Sequence, residues 1–141
     1  MSTPRGLRNC NPLNIRLTSD KWKGMKARQT DADFCQFEAM EWGWRAAFWL
    51  LTRTYYHKYR LYTIRDIIYK WAPATENNTR AYIDHVAQLA GIGPLECIGD
   101  PAEQPIRWLT VAAAMAIHEN GTTAIDPIAM LRGFTLCQER R

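Results

Sequence analysis

Near the C-terminal end of the chain, His118-Glu119-Asn120-Gly121 follows a run from Leu109 to Ile117 in which Thr110 is the only polar residue. Three consecutive alanines and a methionine in that run favour helix over strand. At about 100° per residue, Glu119 falls on the same stripe as Trp108, Ala112 and Met115. A carboxyl group is thereby carried on the apolar side of a core helix, at its mouth. Burial there raises a glutamate's pKa, and a glutamate so raised can act as a general acid near neutral pH. The same residues also make a plain helix end, with Asn120-Gly121 as the cap and Glu119 in water. Enclosure of the carboxyl separates the two readings.

The elements that must position Glu119 are mostly helical. Residues 5–16, RGLRNCNPLNIR, are rich in turn formers, and Pro12 restricts both itself and Asn11. They read as a structured loop rather than a helix. Trp22, Phe34 and Phe37 bracket a polar middle, which suggests one small irregular β-hairpin. From Glu41 to about Tyr59 the pattern is a long helix with more aromatics than one stripe can hold. The surplus either packs on a second side or lines a groove. Thr63 caps a short helix ended by Pro73, Asn78 or Thr79 caps the next, and Gly91 to Pro94 closes it. Pro105 suits the first turn of the Glu119 helix, and Asp126-Pro127 starts the last one. The expected architecture is mainly α, with about five helices and the hairpin, as a single domain over residues 1–141.

Composition narrows the function. At 141 residues, 47% hydrophobic and 23% charged, the chain is long enough for a real core and is not of disordered type. It has no apolar run near the roughly 20 residues of a membrane span and no apolar N-terminal segment of signal type. It is expected to be made in the cytoplasm without a signal peptide. Cys10, Cys35, Cys97 and Cys137 form no metal or redox pattern with one another or with the histidines, so neither metal nor cofactor is expected. The formal charge of +4 suits an acidic polymer such as cell wall, nucleic acid or anionic lipid. The basic residues look scattered along the sequence, which argues against nucleic acid.

The run Arg5-Gly6-Leu7-Arg8-Asn9-Cys10-Asn11-Pro12-Leu13-Asn14-Ile15-Arg16 resembles the RGIRNNNPGNIR opening of small phage-encoded proteins of the lysozyme-like superfamily. Trp22-Lys23-Gly24 matches the W-x-G that follows, Phe34 and Phe37 its F-x-x-F element, and Gly43, Arg45 and Ala46 its G-x-R-A. Trp71-Ala72-Pro73, Glu76-Asn77, Thr79, Tyr82 and Ile83 match a WAP…EN-x-T-x-x-Y-I block, and the closing HENG is also similar. Cys10 and Leu13 stand where the family carries asparagine and glycine. Leu13 removes a residue free to take positive φ, so a local difference is expected there. A looser similarity joins residues 9–37 to wall glucosaminidases of the flagellar type, in which a helix ending in glutamate comes first. Here that helix lies at the other end of the chain, as a circular permutation would place it, so Glu119 is expected within about 15 Å of the Asn11–Ile15 loop.

The resemblance implies a lysozyme-like fold and cleavage of peptidoglycan glycan strands, with activity at the cell wall after release, injection or virion delivery. Glu119 is the expected acid. Glu76, Glu38, Glu41 and Asp33 are the candidates for a second carboxylate, Glu76 being carried forward as catalytic. Schemes using the sugar's own acetamide, or its 6-hydroxyl in a lytic transglycosylase, need no second carboxylate. Asn11, Asn14, Trp22, Asn77 and Tyr82 are the expected substrate-binding residues. The rival reading is a non-catalytic wall-binding or structural module, with virion or secretion-machine proteins as partners.

Overall fold

The computed structural model describes residues 3–73 and 78–139. Six α-helices are found among them: α1 (Arg5–Arg8), α2 (Met40–Phe48), α3 (Ile64–Trp71), α4 (Thr79–Ala90), α5 (Pro105–Asn120) and α6 (Pro127–Gln138). The expectation of a mainly helical chain holds. Two local differences stand out. Residues 5–8 form a helical turn inside the stretch read as loop. The long aromatic helix changes winding, because α2 runs on into a π-helical segment, Trp49–Lys58.

The expected β-hairpin is absent, and no strand forms among the described residues. Residues 16–37 instead fold back through two isolated antiparallel bridges, Arg16 with Phe34 and Met25 with Phe37. Backbone pairs join the arms, Leu17 N–H to the Asp33 carbonyl, Cys35 N–H to that of Ile15 and Lys26 N–H to that of Gln36, and side chains add to them. Gln36 accepts from the Thr30 amide at 2.6 Å, and Gln29 accepts from the Gln36 amide at 2.7 Å. With the Thr30 and Gln36 donors taken by amide side chains, the backbone pairs do not run on as a regular ladder.

Helix ends follow local chemistry. The Thr63 hydroxyl accepts from the Asp66 amide, Asn78 from the Ala81 amide, and Asp126 from the amides of Ile128 and Ala129. Gly91 and Gly121 close α4 and α5 at φ +69° and +65°, where a Cβ would be strained. Helix α2 packs on α6, and α4 packs on α5. The first pair approaches closely because Gly133 has no side chain: a Cβ there would lie 2.3 Å from that of Trp44. The central layer of the core is Trp44, Phe48, Leu51, Ile64, Ile68, Trp108 and Met115, all at most 1% exposed. Within α5, Trp108, Ala112 and Met115 are fully buried, and they lead along one stripe to Glu119.

Candidate active site around Glu119

The N-terminal loop is built from the inside by its asparagines. Asn11 is fully buried, its amide donating to the carbonyls of Ile15 and Cys35 and its oxygen accepting from the Ile15 amide, at 2.9–3.0 Å. The sequence marks Asn11 as a substrate contact; the structure commits its side chain to holding the loop. Asn9 is buried too, donating to Asp31 and accepting from Gln36. Arg5 adds a two-pronged contact to Asp31, at 2.5 and 2.7 Å. These ties fasten the loop to residues 31–36 and leave Asn14 facing the end of α5. Asn14 stands at φ +53°, a left-handed conformation that asparagine tolerates better than most residues.

Asn14 and Glu119, 105 positions apart, meet in a 2.9 Å hydrogen bond from Nδ2 to Oε1. The approach expected from the permuted order is far inside the 15 Å limit. Asn120 makes the joint firm, its amide donating to the Pro12 carbonyl and to the Ala116 carbonyl at 2.8 Å each. From α4, the Tyr82 hydroxyl donates to Glu119 Oε2 at 2.8 Å. The Tyr82 ring is 2% exposed and lies flat against His118, with centroids 3.9 Å apart. His118 in turn sets its Nδ1 2.9 Å from that of His85.

These surroundings set the protonation of the site. Burial pushes the Glu119 carboxyl above the ordinary carboxylate range, against hydrogen bonding from Asn14, Tyr82 and Trp71 and the nearby charge of Arg16. Burial wins, which is the condition for a carboxyl that keeps its proton to higher pH. Burial, then the charge and hydrogen bond of Glu119, raise Tyr82 well above an ordinary phenol, so it stays a neutral donor. Burial and the neighbouring His85 lower His118, favouring the neutral ring.

Glu119 opens into a cleft of about 480 Å³ walled by Asn14, Trp22, Phe34, Leu50, Tyr55 and Trp71, with Arg16, Asp20 and Lys70 among its polar groups. Leu50 and Tyr55 come from the π-helical segment, so part of the aromatic surplus does line a groove. Trp22, expected as a substrate-binding residue, stands in the wall of this cleft. Glu38, Glu41 and Asp33 do not line it. Asp33 pairs with Arg5 at 3.0 Å, and Glu41 faces Arg132 across the groove between α2 and α6. Glu76 and Asn77 lie outside the described residues. Asp20, a second carboxylate in the cleft wall, was missed, since nothing in its sequence neighbourhood marks it.

A relative covers most of the chain. Protein P5 of Pseudoalteromonas phage PM2 is 38% identical over 133 residues, spanning 92% of this chain and 79% of its own. The chain belongs to the family of that phage protein. No protein-family model matches the chain. The relative thus fixes a phage kinship and leaves the chemistry to the residues just described. Among the described residues no helix is long and apolar enough to cross a membrane.

Proposed function

We propose that the protein is a lysozyme-like glycosidase of phage type that cleaves glycan strands of peptidoglycan, with Glu119 as general acid. One observation carries the reading: a half-buried glutamate at the end of a core helix, its pKa raised by burial, stands in the wall of an aromatic cleft. Glycoside cleavage needs a proton delivered to the leaving oxygen and a means of stabilising an oxocarbenium-like transition state. Glu119 supplies the proton. Asn14 and Tyr82 hold its two oxygens in place, so the acid does not have to be oriented at the moment of reaction.

Asp20 is the one carboxylate besides Glu119 in the described wall of the cleft, and it is the choice for a stabilising or water-activating group. Trp22, Tyr55 and Trp71 supply faces on which sugar rings pack. The test is product analysis by mass spectrometry after digestion of purified peptidoglycan. Release of new reducing ends marks a hydrolase, and anhydro ends mark the internal 6-hydroxyl as nucleophile. Asp20→Asn is expected to cut hydrolysis by about 100-fold if that carboxylate activates water. The same variant leaves an anhydro-forming reaction largely intact. If neither product forms from any wall preparation, the glycosidase reading is wrong.

The second reading is a wall-binding module of a virion. Its favouring observation is that both Glu119 oxygens are already engaged by protein donors. Such a protein sediments with peptidoglycan and releases nothing.

A further inference from the structure

The contacts of Glu119 do not end at Tyr82. The Tyr82 ring lies on His118, with centroids 3.9 Å and planes 25° apart, and His118 meets His85 with Nδ1 2.9 Å from Nδ1. The two imidazole centroids are 5.1 Å apart, near the most that a 2.9 Å contact between ring nitrogens permits. The nitrogens therefore face one another head-on. Tyr82 and His85 come from α4, His118 and Glu119 from α5, so the four side chains tie these packed helices together beside the carboxyl.

A head-on contact between two nitrogens holds one hydrogen. In the neutral pair one ring donates its Nδ1–H, and the other accepts on Nδ1 while keeping its own hydrogen on Nε2. The donor ring's remaining basic atom is Nε2, so a first added proton leaves the contact intact. The acceptor ring's is Nδ1, so a second sets two N–H groups and two charges against each other and drives the rings apart. Both rings are half-buried, within reach of protons from solvent. No carboxylate steadies a doubly charged pair. Arg80 and Asp84 of α4 are exposed, as are Arg65, Asp66 and Lys70 of α3, Arg8 of α1 and Arg132 of α6. Arg5 is spent on Asp31, Arg107 on Glu96, and Glu119 on Asn14 and Tyr82. The charge that bears on His118 is that of His85.

We propose that His85 and His118 are positioning residues for Glu119: the pair holds the Tyr82 ring, and through its hydroxyl the carboxyl, until a second proton separates the two imidazoles. The inference rests on the reading of Glu119 as the working acid, and it adds a lower pH bound to the aligned site. Neither histidine lines the cleft, so both act through Tyr82.

The test follows imidazole nitrogen and Glu119 carboxyl carbon resonances by NMR against pH, in the full native chain, His85→Asn and His85→Leu. Asparagine puts an amide where Nδ1 stood and takes up no proton, while leucine removes the contact. In the native chain the rings should titrate in two steps split by more than about one pK unit, as coupled sites do. In His85→Leu, Glu119 should titrate at higher pH than in the native chain, because a loosened Tyr82 no longer lowers it, and His85→Asn should restore the native value. Cleavage of soluble glycan strands should lose about tenfold in kcat at unchanged KM in His85→Leu. His85→Asn should recover that rate, with its acid limb moved to lower pH. Rings that titrate together in one step, or a Glu119 titration unmoved in folded His85→Leu, overturn the inference. If His85→Leu does not fold, the native chain and His85→Asn decide: the Tyr82–His118 ring contact must break in acid in the first and persist in the second. If the native chain cuts no glycan while the resonances stay coupled, the glycosidase reading falls and the positioning of the carboxyl stands.

Discussion

Gly6 offers the sharpest structural test, because its missing side chain holds the site together. A Cβ built there would lie 2.5 Å from Asn120 Oδ1, 2.9 Å from Asn14 Oδ1 and 2.9 Å from the Asn11 carbonyl oxygen. The two amide oxygens are buried and have no N–H or O–H partner. They point instead along the direction of a glycine Cα–H, a weak but real contact for an acceptor. Asn120 cannot step aside, because its amide is bound on two carbonyls, nor can Asn14 without leaving Glu119. Gly6→Ala therefore forces a shift at the joint between loop and α5, at a cost of about 2 kcal/mol for overpacking a tight site. Helix propensity in α1 opposes this by at most about 1 kcal/mol, so a net loss of roughly 1 kcal/mol is expected. Urea unfolding reads the stability, and peptidoglycan clearing reads the alignment of Glu119, which should suffer more than stability does. A stabilised Gly6→Ala protein, with propensity winning, would refute this description of the joint.

Three further outcomes follow from particular residues. Cys10 holds φ +53° where an asparagine is better suited, so Cys10→Asn should raise stability by about 1 kcal/mol in urea unfolding. Glu119→Gln should stabilise the fold at neutral pH, because the raised carboxyl is costly to ionise when buried. The sign fixes the window: the native glutamate costs nothing below its unfolded pKa, and the cost grows as pH rises through its folded one. Thermal melts across pH should therefore show the variant's advantage vanishing in acid. Tyr82→Phe removes a donor that lowers the Glu119 pKa, so the alkaline limb of the clearing profile should move to higher pH while the maximal rate drops about tenfold.

Much of the helical frame could be read from the sequence, and the reasons are local. Thr63, Asn78 and Asp126 cap helices through their own side chains, and Gly91 and Gly121 end them at positive φ. The stripe from Trp108 to Glu119 obeys helical spacing, so the place of the carboxyl followed from periodicity. Other features depend on tertiary contacts and have no such signal. The winding change at Trp49 leaves no mark in the residue pattern. Residues 16–37 carry strand-like aromatics, but glutamine side chains take part of their backbone bonding and the backbone pairs form only isolated bridges. Leu13 was expected to disturb the loop; positive φ instead falls on Cys10 and Asn14, and Leu13 is fully buried. Asn11 has the residue type of a ligand contact, and only its burial reveals that it is spent inside the loop. Asp20 enters the cleft because Trp22 and the bridge at Arg16 carry it there, a placement no local pattern encodes.

In the proposed reaction Glu119 protonates a glycosidic oxygen. The most direct test of that step is turbidity loss of purified peptidoglycan, comparing the native chain with Glu119→Gln and Glu76→Gln, each checked for folding by circular dichroism. The expected result is clearing by the native protein, with an alkaline limb set by the raised Glu119 pKa, and loss of clearing by about 100-fold or more in Glu119→Gln. A folded Glu119→Gln protein that clears the wall as fast as the native chain would contradict the account.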